Sequence, residues 1–204
     1  LMNYDKRGWK ILSRAGEQLK GQVYSISEFA GSIRIGSTGL WKWNDAIQRL
    51  VVTKTFESRS IHCFSPSNSE SLFAGGDGGI WKFTPENKSW SPFWKTSEKE
   101  GTVHVIIPRA DGTLVVGTGD GITTLSPKGI VVDRGLPGER VVSIAIDPQN
   151  RIWAATRQHG LRYFDGQKWY RADSKQGIGN QVDSVLSVSY THLRAHETDS
   201  YLVC

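Results

Sequence analysis

The chain has 204 residues, with 22 Gly, eight Trp, two Cys and a formal charge of +5. Two cysteines cannot build the disulfide framework of a small secreted domain, and no run of 18 apolar residues offers a membrane-spanning helix. No Lys/Arg run exceeds two residues, so the charge predicts a mixed solvated surface rather than a nucleic-acid stripe.

The chain opens on Leu1 rather than Met and is expected to start inside a longer reading frame. Leu1, Tyr4, Asp5 and Trp9 have the spacing that returns as Leu161, Phe164, Asp165 and Trp169. From there a repeat of about 40 residues governs the sequence. A first strand of apolar-x-small-apolar form starts at Val23, Ile61, Val103, Val141 and Val182. A second apolar strand is predicted at 33–36, 72–75, 114–117 and 152–155, and a third at 40–43, 80–83, 122–125 and 161–164. Between first and second strands, Gly31-Ser32 and Asp111-Gly112 supply the positive φ of tight hairpins. A fourth strand is placed in the variable stretch after the third, as at 50–55 and 130–133.

Four short antiparallel strands per period, with no helical periodicity in competition, define a β-propeller. The expected fold is all-β, an incomplete arc of about four to five four-stranded antiparallel blades over residues 1–187. The inner strands are apolar on both faces, as with Leu40 against Trp41 and Trp43, because a blade is sandwiched between two others.

Gly135-Leu136-Pro137, Val141-Val142-Ser143-Ile144, Asp147, Arg151-Ile152-Trp153 and Gly160-Leu161-Arg162-Tyr163-Phe164-Asp165-Gly166 resemble one two-component regulator propeller repeat. Other units depart from that pattern. Arg34, Phe73 and Val115 stand where it has tryptophan, and Gly76 stands where it has threonine. The resemblance implies a ligand-binding sensor domain, periplasmic or extracellular, similar to the glycan-sensing hybrid systems of gut bacteria. It implies a small-molecule, glycan or protein partner, no nucleic acid, no cofactor, and membrane attachment only through downstream segments.

Catalysis is weighed against this. Sialidase-type Asp boxes fail at Trp90 and Trp169, where only Gly166 and the tryptophan fit. His62 and His104 occupy one position of the first strand in successive units, held by Tyr24 and Asp183 in others. They are candidates for a ligand or, in the alternative reading, for a metal-assisted lyase or hydrolase. A wall histidine bonded to a neighbouring blade is the simpler role. The Gly-Asp-Gly runs at 76–78 and 119–121 are read as turns, since a calcium loop needs several spaced oxygen ligands. Trp41-Lys42-Trp43 and Trp81-Lys82-Phe83 are read as packing.

Propellers bind at the turns between second and third strands and at the connections into each first strand. That selects Asp77, Asp120, Arg157, Gln158, His159, Arg59, Glu139, Arg140, Asn180 and Gln181, with 157–159 the most polar turn of its set.

Val188 to Cys204 breaks the pattern: Gly disappears and the repeat stops. This segment resembles the translation of a sequencing-library adapter and is expected to be non-native. His192 and His196 would be a helical metal pair, but they fall within it. Without the tail, Cys63 stands alone as a small buried hydrophobe.

Overall fold

The computed structural model describes residues 2–5, 8–11, 22–44, 49–55, 60–66, 71–172, 179–187, 193–196 and 201–203. All of its regular structure is antiparallel β-sheet. β1 (Met2–Asp5) pairs with β2 (Gly8–Ile11). The first four-stranded sheet is β3 (Ser25–Phe29), β4 (Ser32–Gly36), β5 (Gly39–Asn44) and β6 (Arg49–Thr55). The second is β7 (Ile61–Phe64), β8 (Leu72–Gly76), β9 (Gly79–Thr84) and β10 (Ser89–Lys95). The third is β11 (Val103–Pro108), β12 (Leu114–Thr118), β13 (Gly121–Leu125) and β14 (Val131–Gly135). The fourth is β15 (Val141–Ile146), β16 (Ile152–Thr156), β17 (Gly160–Phe164) and β18 (Trp169–Arg171). A three-stranded sheet follows: β19 (Ser184–Ser187), β20 (Leu193–His196) and β21 (Tyr201–Val203).

Each four-stranded sheet is a simple meander, and the first strands β3, β7, β11, β15 and β19 contact one another in succession. That succession of blades is a β-propeller, and no strand pairing closes the first sheet onto the last among the described residues. The arc is open, as the phase of the repeat predicts. The offset pairing Tyr4↔Trp9 repeats Phe164↔Trp169, so β1 and β2 hold the third and fourth strand positions of a unit. β20 and β21 lie within 188–204 and continue the sheet that β19 begins. His196 is therefore on a strand, not on a helix.

The core is four separate layers, each between adjacent blades. The second strand of each blade feeds two layers by strict alternation. Leu72 and Ala74 pack toward the preceding blade while Phe73 packs toward the following one. Leu114 and Val116 likewise oppose Val115, and Ile152 and Ala154 oppose Trp153 and Ala155. These strands are buried on both faces, which explains their continuous apolar runs. Gly31 and Gly112 take positive φ in the first hairpins, at 68° and 80°.

The first strands break that alternation at one recurring place. In three blades the register to the second strand shifts by a residue, between Ile61 and Cys63, Val103 and Val105, and Val141 and Ser143. Residues two apart on a regular strand share a face. Here Ile61 enters one core layer and Cys63 the next, and Val103 and Val105 divide the same way. The bulged residues between them are His62, His104 and Val142.

Candidate functional site

A β-bulge releases its extra residue from the ladder and re-aims the side chain. At His62 and His104 it turns the imidazoles out of the interblade packing and along the inner rim, where first strands meet. Tyr24, His62 and His104 form an arc across three blades. The Tyr24 and His62 rings are 4.5 Å apart and the His62 and His104 rings 6.3 Å apart. In the next blade Val142 holds the bulge and packs with the apolar layer. Arg140, two residues earlier, continues the arc instead, donating from Nε to His104 Nε2 at 3.2 Å. Farther on, Arg157 pairs with Asp183 at 3.0 Å.

The turns between second and third strands are braced by buried hydroxyls. Thr118 and Thr156 are fully buried and donate to the carbonyls of Gly121 and Gly160. Gly76 has no hydroxyl, and the next residue takes over the bracing. Asp77 accepts from Ser60 N, Thr102 Oγ1 and His62 Nε2 at 3.1, 2.7 and 3.1 Å, linking two blades. A side chain at Gly76 is excluded, because its Cβ would sit 2.0 Å from the Ser60 carbonyl.

The remaining sequence-selected residues lie along the same end of the blades. Asp120 accepts from Gly138 N at 2.7 Å. Residues 157–159 form the exposed turn between β16 and β17, and His159 Nδ1 lies 3.6 Å from Glu139. Glu139 also takes both arms of Arg162, at 2.8 and 3.2 Å. Asn180 accepts from Arg171, and Gln158 and Gln181 are exposed. Arg59 lies outside the described residues. The structure thus brings Tyr24, His62, Asp77, His104 and Arg140 into one run of contacts.

Electrostatics distinguish the two central histidines. Burial, reinforced by the Arg140 cation and by His62 and Arg157, pushes His104 down to about 4, so it is neutral near pH 7. Burial raises Asp77, but the Thr102, Ser60 and His62 hydrogen bonds outweigh it and hold the carboxyl below its ordinary value. Among the described residues no three His, Cys, Asp or Glu side chains converge as a metal site.

Trp41, Trp43, Trp81 and Trp90 are buried, the last two in the layer between the first and second complete blades, which makes the Trp-Lys runs packing elements. The exposed aromatic on the arc is Tyr24, at 42%. A cavity of about 270 Å³ opens on the outer strand of the second blade, lined by Ile80, Trp81, Phe93, Trp94 and Lys95, away from the arc.

Sequence reading passed over Glu100. It is 2% exposed and accepts from Ser97 N at 2.7 Å, from Thr123 Oγ1 at 3.0 Å and from Arg134. Its signal was available, since Ser97-Glu98-Lys99-Glu100 has the S-x-x-E spacing of a reciprocal cap.

Residues 135–158 match the family model of the two component regulator propeller, so the fourth complete blade opens on one such repeat. No curated protein matches this sequence. Among solved structures, the chain is similar to the extracellular domain of a hybrid two component system from B. thetaiotaomicron. Identity is 14% and the TM-score 0.69, over 95% of this chain and 28% of that one. It is also similar to a streptogramin B lyase, at 14% identity and TM-score 0.70, over 89% of this chain and 64% of that one. A third likeness is to YCF48 bound to D1 peptide, at 16% identity and TM-score 0.66, over 93% and 66%. At these identities the likeness is one of fold. The chain spans about a quarter to two thirds of these structures.

Proposed function

We propose that this chain is the ligand-receiving propeller of a bacterial two-component-type sensor, acting outside the cytoplasm and performing no covalent chemistry. The family match at 135–158 and the fold shared with an extracellular sensor domain support the sensor role. The observation that carries the site is the recurring bulge. It spends three strand positions on leaving the ladder, and two of them deliver imidazoles to one arc beside Tyr24 and Arg140. An aromatic face, neutral and charged nitrogen donors and a carboxylate within one run suit a polar ligand such as a saccharide. A glycan-array and thermal-shift screen of the full chain tests this. A hit should lose at least tenfold in affinity in Tyr24→Ala and His62→Ala, and a hit indifferent to both would remove the arc from consideration.

The alternative, a metal-assisted lyase or hydrolase, would use His62 and His104. Nε2 of each already faces a partner, Asp77 for one and Arg140 for the other, so a metal would have to displace both. Isothermal titration with divalent metals decides this. Micromolar binding lost in His62→Ala and His104→Ala would favour the lyase reading.

A further inference from the structure

Of the acids around the arc, Asp183 faces Arg157 and Glu139 faces Arg162, while Asp77 is held by His62, Thr102 and the Ser60 amide and Asp120 by the Gly138 amide. Arg140 is the surplus. Among the described residues no carboxylate pairs with it, and its single side-chain contact goes to the imidazole of His104. An arginine has five donors in a rigid fork, and only Nε is engaged here, which leaves both terminal amino groups to face a ligand.

We propose that Arg140 and His104 form the anion-binding end of the arc and take one oxyanion of an acidic ligand, a carboxylate or a sulfate monoester. The proposal rests on the ligand-binding role above and adds the chemistry of the ligand. The terminal amino groups of Arg140 hold the oxyanion bidentately. His104, protonated as the anion arrives, no longer accepts from Arg140 at Nε2 and donates to the ligand instead. Binding therefore takes up a fraction of a proton near pH 7 and more as the pH falls.

The charged groups facing His104 account for this direction. Arg140 and Arg157 stand on one side, and His62 and Asp77 on the other. With no ligand, burial together with Arg140, His62 and Arg157 outweighs Asp77, and His104 stays neutral. A bound anion offsets Arg140 and favours the imidazolium.

The test is imidazole-detected NMR of the full chain, titrated with inorganic sulfate, D-glucuronate and the neutral methyl glucoside at pH 5 to 8. Sulfate stays fully ionised over this range, so its pH dependence belongs to the protein. We expect sulfate and glucuronate to move the His104 resonances, and sulfate affinity to rise about tenfold from pH 7 to pH 5. Arg140→Lys keeps the charge but not the fork and should weaken sulfate at least fivefold. His104→Gln should weaken sulfate at pH 5 at least fivefold and flatten the pH dependence of its binding. Sulfate and glucuronate that leave His104 unmoved would overturn the proposal. If methyl glucoside then still moved His62, ligand binding at the arc would stand without the anion site; if nothing moved either histidine, both readings would fall.

Discussion

The carboxylate of Asp147 accepts a hydrogen bond from the indole of Trp153 at 2.8 Å, across the hairpin that joins β15 to β16. The same carboxylate accepts from Gln149 N and Arg151 N at 3.0 and 2.9 Å and from the Arg151 side chain at 2.6 Å. One acid therefore shapes the turn and fixes the tryptophan that follows it. In the other three complete units Arg34, Phe73 and Val115 stand at the position of Trp153, so this fastening belongs to the fourth.

Removing that acid should unfasten the turn and leave a half-buried indole N–H without its partner. Asp147→Ala is expected to cost about 2–3 kcal/mol, the scale of several lost hydrogen bonds to one charged group. Asp147→Asn retains an acceptor and should cost less than half as much. Urea midpoints of the two variants against the parent check the order, and equal losses would show that charge rather than the shape of the acceptor holds this turn.

Gly76 and Gly138 separate two reasons for a glycine. At Gly76 a Cβ would meet the Ser60 carbonyl at 2.0 Å, so backbone must move. At Gly138 nothing lies within 4 Å, and the constraint is its φ of +79° alone. Gly138→Ala should cost about 1 kcal/mol, the ordinary charge for a left-handed alanine. Gly76→Ala should cost at least twice that and also disturb Asp77 and His62. Thermal unfolding gives the first difference and the His62 resonance the second.

The fold was legible because the repeat states it five times. Strand positions around Ile61, Leu72, Ile80 and Val103 follow from apolar runs cut by Gly and Asp turns, and the structure returns them to within a residue or two. The bulge at His62 and His104 was not legible. It depends on cross-strand register, and Ile61-His62-Cys63 reads as an ordinary alternating strand. Reading the two histidines as equivalent strand positions agrees with the bulge that both occupy. Their partners were harder, because Arg140 lies 36 residues from His104 and meets it only through the packing of successive blades. Glu100 was missed because its cap precedes a strand rather than the helix that such spacing usually announces.

Acid should weaken the chain in a defined window. Burial opposes ionisation of Glu100 and Asp147, but the Ser97 hydrogen bonds at the first and the Trp153 and Arg151 bonds at the second prevail. Both carboxyls, with Asp77, are held below their ordinary values. A carboxyl lowered in the folded state stabilises it above the unfolded pKa, and that gain is lost as pH falls through the folded value. Unfolding free energy should therefore begin to fall below about pH 6.5, where the unfolded state protonates His104 and the folded state does not, and fall further below about 4 as the three carboxyls titrate. Glu100→Gln should be less stable at pH 7 and show a shallower acid decline. A parallel decline in the variant would place the acid sensitivity elsewhere.

Arg34 occupies a position where the repeat has tryptophan, and it is 4% exposed between the first and second complete blades. Its guanidinium lies 3.9 Å from the centre of the Phe83 ring and 6.0 Å from that of Trp90, and burial lowers its pKa. Two effects oppose each other. A desolvated cation over aromatic faces gains about 2 kcal/mol, while a buried charge without a carboxylate forfeits its hydration. A planar guanidinium stacks on a ring where an ammonium, more strongly hydrated, does not. Arg34→Lys should therefore lower stability by about 1–2 kcal/mol. Arg34→Met fills similar volume with no charge to desolvate and should fall within about 1 kcal/mol of the parent. Urea denaturation of both variants decides between the effects. A methionine variant as weak as the lysine one would mean that the stacked guanidinium, rather than charge or volume alone, holds these two blades together.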